Sequence, residues 1–264
     1  MQENLEEIRK WESEEVARSA SEARGKNATN NLRIKNEIVT RYSNPPANTP
    51  FALEYAYHLL GDVSGKKVLD YGCGSGDNSV LIASHGGTVV GLDISPDLID
   101  LAERRLELHG YKDKVDFRVG SAHELPIADA SIDVVFGMAI LHHLDLNLAS
   151  GEVFRVLKKG GAAIFLEPVR NSKLIWFIRN LIPYKQADVS PFERPLSDRE
   201  LQQFAKNFSG YSSRAFSLPF VNLVQVLGLP EKFVFLACRL DGKILKYLSF
   251  LDFYATVRVI KITK

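Results

Sequence analysis

Two aspartates, three glycines and an adjacent pair of histidines carry most of the chemical information in this sequence. Asp70 stands two positions before a glycine-dense turn, VLDYGCGSG (68–76), in which an apolar run gives way to Gly72, Gly74 and Gly76. Glycines let a backbone turn sharply and approach a ligand closely, and a following helix would aim its first N–H groups at it. The spacing departs from the dinucleotide fingerprint Gly-x-Gly-x-x-Gly. An acid just ahead of the turn would repel a pyrophosphate and suits a cation or an amine. Asp93 closes a second apolar run, VVGLD (89–93), where a carboxylate can accept hydrogen bonds from both hydroxyls of a ribose. Two further segments, GSAHELP (120–126) and IDVVFGM (132–138), precede LHHL (141–144). His142 and His143 titrate near neutrality when unperturbed, so either could take a proton from an acceptor hydroxyl. Cys73 admits a reactive-thiol reading, but the preferred one is a small packed residue that offers its backbone. The six histidines show no zinc-like spacing with the two cysteines, so no metal is expected.

These residues need a scaffold that gathers loop after loop at one edge. Residues 61–170 alternate strand and helix with short connections, the pattern of a parallel sheet covered on both faces. Strands are expected at Lys67–Tyr71, Thr88–Asp93, Lys114–Val119, Ile132–Gly137 and Ala162–Glu167, with helices at Asp77–His85, Pro96–His109 and Leu148–Leu157. The turn 158–161 (KKGG) would end the last helix, its lysines favouring the negative helix end. All four motif loops then lie at carboxyl ends of strands, where open α/β sheets bind ligands.

The flanks differ. Residues 1–60 read as a helical extension. Leu5, Ile8, Trp11, Glu15 and Val16 fall near helical spacing, and Glu3, Glu6, Glu7, Glu12 and Glu14 form a solvated face. Helices are also expected over Asn31–Arg41 and Phe51–Leu60, with Asn44-Pro45-Pro46-Ala47 as a helix stop. After 170, helices are expected at Ser172–Ile182 and Ser197–Asn207, the latter with a Ser197–Glu200 capping box. Strands are expected at Ser212–Leu218 and within Tyr254–Lys264.

Composition narrows the class. Two cysteines in 264 residues exclude a disulfide scaffold and point to a reduced, cytoplasmic setting. No apolar run approaches the roughly 18 residues needed to span a bilayer, and the acidic first ten residues are unlike a signal peptide. The 33 basic and 32 acidic side chains almost cancel, so a nucleic-acid-coating role is not expected. Yet residues 1–170 hold 19 basic and 25 acidic groups, and residues 171–264 hold 14 and 7.

The ordered set VLDYGCGSG, GLDIS, GSAHELP, IDVVFGMAILHHL and RVLKKGG closely resembles class I S-adenosylmethionine-dependent methyltransferases, within them the small-molecule branch acting on quinones, sugars and other natural products. The resemblance covers residues 61–170. It implies one Rossmann-like α/β domain over 1–264: a seven-stranded, mostly parallel sheet with helices on both faces and an antiparallel last strand beside strand five. In this arrangement 1–60 extend the fold, 61–170 bind cofactor, and 171–264 supply a substrate cover and the last strands. The resemblance further implies that Asp70 and the loop Gly72, Cys73, Gly74 hold the methionine part of S-adenosylmethionine. Asp93 would bind its ribose, Ile94 would pack on the adenine, Ala122 would offer its N–H to the ring, and Met138 would line the pocket. Ser121 stands where many relatives have an acid. By the same resemblance His142 would act as general base, oriented by Glu167 at the end of strand five.

Acceptor contacts are expected from His143 and from Trp176, Tyr184 and Arg194 in the segment after strand five. The expected acceptor is a small organic molecule methylated on oxygen. Methylation of carbon or nitrogen, as on a quinone, is the first alternative, and a non-catalytic binding subunit of the same fold is the second. The basic excess after 170 admits three readings: a solvated face, attraction of an anionic substrate, or weak contact with an acidic membrane surface through 231–250.

Overall fold

The computed structural model describes residues 2–28, 32–172, 194–218, 220–221, 224 and 227–264. The helix expected at 172–182, and with it Trp176 and Tyr184, lies outside the described residues apart from Ser172.

Seven strands form one sheet: β1 (Lys67–Tyr71), β2 (Thr88–Asp93), β3 (Val115–Val119), β4 (Ile132–Met138), β5 (Leu157–Pro168), β6 (Gly210–Phe216) and β7 (Val257–Thr263). Their spatial order is β3-β2-β1-β4-β5-β7-β6. β1 to β5 are mutually parallel, and β7 runs antiparallel between β5 and β6. The anticipated mostly parallel sheet with an inserted antiparallel last strand is therefore present.

Alternation along the strands divides the core in two. Leu69, Val90, Val135, Phe165 and Ile260 point to one face. There they meet α6 (Leu146–Val156) through Ala149 and Val153, and α7 (Asp198–Phe204) through Leu201 and Phe204. Their neighbours Val68, Val89, Val134, Ile164 and Val259 point to the other face. That side is covered by α3 (Ala52–Leu60) through Ala56, Tyr57 and Leu60, and by α4 (Asp77–Ser84) through Val80 to Ala83. α5 (Pro96–His109) starts on Ser95, whose hydroxyl accepts from Leu98 N–H, and stops at Gly110 in the left-handed conformation. α7 carries the expected capping box, Ser197 with Glu200.

Three expectations change. α2 is Asn36–Ser43, so the segment from 32 to 35 precedes it as irregular chain. The sixth strand sits two residues earlier than read, at Gly210–Phe216. Residues 158–161 do not cap α6, because β5 already begins at Leu157 and its register against β4 shifts between Ile132 and Val134. Gly160 does take φ 77°, and its N–H donates to the Lys264 carbonyl. The cation at the carboxyl end of α6 comes instead from Lys264, whose Nζ donates to the carbonyls of Phe154 and Leu157 at 2.6 and 2.8 Å. Lys158 is spent on Asp133, at 2.7 Å.

α1 (Gln2–Ala28) is one long helix that packs on α5. The last helix, α8 (Glu231–Tyr247), lies in the connection between β6 and β7.

Candidate functional site

The loops after β1, β2, β3 and β4 converge on a cavity of about 280 Å³, closed on its far side by α1. Gly72, Gly74, Asp93, Ile94, Ala122, Met138 and His143 line it, as the motifs led one to expect. Asp70, Cys73, Ser121, His142 and Glu167 are not part of this lining, and His142 adjoins it through His143.

The glycine turn is held from below. The Arg105 guanidinium, buried within α5, donates to Ser75 O at 2.8 Å and to Asp77 Oδ1 at 2.6 Å. Gly76 takes φ 78°, and a Cβ there would lie 2.8 Å from the Cβ of Ala102, so only glycine lets loop and helix approach this closely. Gly74 also has positive φ, 52°, and a Cβ on it would meet nothing within 4 Å, which leaves its backbone bare toward the cavity.

Four N–H groups of this turn are already used. Gly72 and Cys73 N–H both donate to Leu92 O at 2.9 Å, Gly74 N–H to Asp93 Oδ2 at 2.8 Å, and Gly76 N–H to Cys73 O at 2.9 Å. The Cys73 backbone N–H is thus committed to Leu92 within the protein. Burial, with Asp70 and Asp93 nearby, pushes its thiol well above the ordinary range, which makes it inert. With these N–H groups spent, the turn is not the open nest of donors that binds a phosphate.

Asp70 disfavours a phosphate too. It is fully buried; Ser79 Oγ donates to its Oδ2 at 2.6 Å, and its Oδ1 has no partner. Burial raises its pKa to about 7, the Ser79 hydrogen bond opposes this, and the charges of Asp93 and Asp77 add to it. Asp93 also works inside the protein, accepting from Gly74 N–H and from Ser95 N–H at 3.0 Å. Tyr71 holds the loop after β3 by donating its hydroxyl to Ala122 O at 2.6 Å.

The expected histidine–glutamate pair is in contact. His142 Nδ1 lies 2.9 Å from Glu167 Oε2, while Glu167 Oε1 accepts the N–H groups of Ile140 and Leu141 at 3.0 and 2.8 Å. Both carboxyl oxygens accept, so Nδ1 is the donor and Nε2 of a neutral His142 keeps the lone pair. The two histidine rings stand 4.1 Å apart, and His143 is the one that lines the cavity. Arg194 is joined instead to Glu200 in the capping box and takes no part in the cavity wall.

α1 supplies residues that the sequence reading missed. Ile8, Trp11, Glu12, Glu15 and Ser19 share one helical face and line the cavity. Glu12, expected on a solvated face, accepts from Ser121 Oγ and lies 2.9 Å from His123 Nδ1. Burial alone would raise its pKa, but the hydrogen bonds from His123 and Ser121 and the charge of Arg9 outweigh that and hold it low. His123 Nε2 in turn accepts from Asp145 N–H, at the start of α6. The Trp11 indole N–H is buried beside the cavity with no partner. A tryptophan among glutamates at four-residue spacing was the available signal.

An open, mostly parallel sheet with an acid-lined cavity at the carboxyl ends of its strands defines a Rossmann-like architecture. Residues 62–207 match the family described as a methyltransferase domain, and the chain belongs to that family. It is 36% identical over 107 residues to a demethylmenaquinone methyltransferase of Symbiobacterium thermophilum, covering 39% of this chain and 43% of that one. It is likewise 36% identical over 110 residues to methyltransferase GfsG of Streptomyces halstedii, covering 41% and 40%. The chain thus spans less than half the length of these relatives. Geranyl diphosphate C-methyltransferase from Streptomyces coelicolor, solved with Mg2+, geranyl diphosphate and S-adenosyl-L-homocysteine, superposes with a TM-score of 0.59 at 19% identity, over 80% of this chain and 77% of that one. That likeness is one of fold.

The residues present fit S-adenosylmethionine. The unpartnered Asp70 Oδ1 and the acids Glu12, Glu15 and Asp93 around the cavity match a ligand bearing ammonium and sulfonium charges. Asp93 retains acceptor capacity for hydroxyls, and Leu92, Ile94 and Leu98 give a flat base an apolar wall. Among the described residues no cluster suited to a metal ion occurs, and no helix is long and apolar enough to cross a membrane.

Proposed function

We propose that this protein transfers a methyl group from S-adenosylmethionine to the oxygen of a small organic acceptor, with His142 as general base. The Glu167–His142 pair carries this reading: a fully buried carboxyl group, fixed by two backbone N–H groups, orients the imidazole and assigns its tautomer.

Bound in the cavity, S-adenosylmethionine supplies an electrophilic methyl on a cationic sulfur whose leaving group is a neutral thioether. The chain's own task is alignment and one proton. Asp70 and the glycine turn hold the methionine end, and Asp93 accepts from the ribose. Ala122, Ile94 and Leu98 hold the base, while Met138 flanks the reacting region. His142 Nε2 takes the hydroxyl proton of the acceptor, and Glu167 supports the resulting imidazolium. His143, at the cavity wall, is placed to contact the acceptor.

The test couples binding and turnover. Calorimetry measures S-adenosylmethionine affinity, and a labelled-methyl assay screens pooled phenols, glycosides, quinones and lipids. His142→Ala should lower turnover at neutral pH by about 10²–10⁴-fold with cofactor affinity unchanged. Near-wild-type turnover in that variant ends the base role. An absence of cofactor binding ends the enzyme reading in favour of a non-catalytic binding subunit.

A second reading is methylation of carbon on a quinone or prenyl-like acceptor. It is favoured by the demethylmenaquinone and geranyl diphosphate activities of two similar proteins and by the apolar lining from Leu92, Ile94, Leu98, Ile140 and Leu144. Product NMR distinguishes a methoxy from a C-methyl signal. Either reaction takes place in the cytoplasm on this proposal, within the biosynthesis of a natural product.

A further inference from the structure

We propose that α8 and the turn after it form a docking surface for anionic lipid bilayers, independently of which acceptor is methylated. The inner face of α8 is anchored. Asp241 Oδ2 accepts from Leu218 N–H at 2.7 Å, Leu245 is buried, and Phe235 meets Phe51 edge-on at 5.4 Å. Among the described residues no element covers the outer face. Phe233, Leu236, Leu240 and Tyr247 fall on one stripe at helical spacing, with Leu236 52% and Tyr247 77% exposed. Lys232, Arg239, Lys243 and Lys246 fall on the adjoining stripe, and all four are exposed. At 100° per residue the cations occupy one arc of about 60° and the apolar side chains the next. Beyond the helix, Phe250 (69% exposed) and Phe253 (51%) extend the apolar surface.

Large apolar side chains standing in solvent are few on ordinary surfaces, and contiguous ones mark an interaction site. Charge selects the occupant. A row of four cations beside an apolar stripe is the arrangement of helices that lie in a membrane interface, cations toward acidic headgroups and rings toward the acyl boundary. The sole acid exposed on α8 is Glu231, at its first position. A second copy of this chain would bring the same four cations to the contact and no acid row to meet them.

Topology adds a geometric consequence. β6 runs parallel to β1–β5, so Phe216 ends at the carboxyl edge, and it is paired with Val257, where β7 begins. The whole connection that carries α8 leaves and returns at the edge that holds the cavity. Docking would therefore turn the catalytic edge of the sheet, rather than its opposite edge, toward the lipid.

The test is vesicle flotation of the full chain. Phosphatidylcholine vesicles rich in phosphatidylglycerol should carry the protein up the gradient, pure phosphatidylcholine should not, and added salt should weaken the association. Lys232→Glu/Arg239→Glu/Lys243→Glu/Lys246→Glu should lose binding by about a hundredfold or more. Leu236→Ser/Leu240→Ser/Phe250→Ser, which changes exposed positions only, should also lose it while keeping its thermal melting profile. No flotation with acidic vesicles, or charge-reversed protein floating like the wild type, overturns the proposal. So does a dimer in light scattering that the serine variant abolishes while vesicles go unbound, because the surface would then be a contact between copies.

Discussion

Replacing Asp70 by asparagine separates the stability of this protein from its recognition of a cation. Burial, with Asp93 and Asp77 nearby, raises the Asp70 pKa from 3.8 to about 7 against the pull of the Ser79 hydrogen bond. Between those values the native protein binds more protons at this site than the unfolded chain does. Stability contributed here is therefore greatest in acid and falls as pH rises from about 4 through about 7. A shift from 3.8 to about 7 is equivalent to about 4 kcal/mol lost by the wild type above neutrality. Asparagine keeps an acceptor for Ser79 but places an N–H₂ where Oδ1 stood without a partner, at a cost of about 1–3 kcal/mol. Asp70→Asn should then be more stable than the wild type by about 1–3 kcal/mol near pH 8, or roughly 3–10 °C in Tm. Near pH 5 it should have no advantage. Calorimetric scans at the two pH values check the difference, and titration with S-adenosylmethionine should show affinity reduced by about 10- to 100-fold. A stability difference from wild type that is equal at both pH values would refute the buried-charge reasoning.

Three further outcomes follow from contacts at the cavity and at the end of α6. Glu12→Ala removes the acceptor shared by Ser121 and His123, so α1 should detach locally. Amide exchange should accelerate in α1 alone, and S-adenosylmethionine affinity should fall about tenfold. Because the Glu12 pKa is held low, its contribution is present at neutral pH and is lost as pH falls through its folded-state value. Exchange in wild-type α1 should therefore accelerate under acid before the sheet melts. Lys264→Met should lower stability by about 1 kcal/mol, or about 2–4 °C in Tm, since it removes the cation from the carbonyls that end α6. An unchanged melting temperature would show those hydrogen bonds to be replaced by water at no cost.

The parallel core was legible because its signals are local. Val68-Leu69, Val89-Val90 and Val134-Val135 are paired apolar residues that only a strand buried on both faces uses fully, and glycine turns punctuate them. The acids followed from position, since Asp70 and Asp93 sit where carboxyl ends of strands meet. Glu12 was illegible for the opposite reason. A glutamate in an acidic helix has the same sequence appearance whether it faces water or a serine and a histidine more than a hundred residues away. Lys158 and Lys159 misled because a lysine after a helix is usually its cap, whereas here Lys264 performs that role from the far end of the chain. The spent N–H groups of Gly72 and Cys73 were equally hidden, because hydrogen bonds to Leu92 O leave no mark in residue type.

The placement of β7 also governs when this protein can become itself. β5 and β6 do not touch; each leans on β7, which occupies residues 257–263. A ribosome that has released everything through β6 has made every motif of the cavity, yet β5 still has a bare edge and Arg258 has not reached Asp198. Pairings between segments so distant in sequence close late and slowly, and an open strand edge in the interval invites aggregation. Nonsense mutations and proteolytic trimming near residue 257 should therefore be far more damaging than their distance from the cavity suggests. The strand at 257–263, which does not line the cavity, decides whether the residues before it hold a site at all.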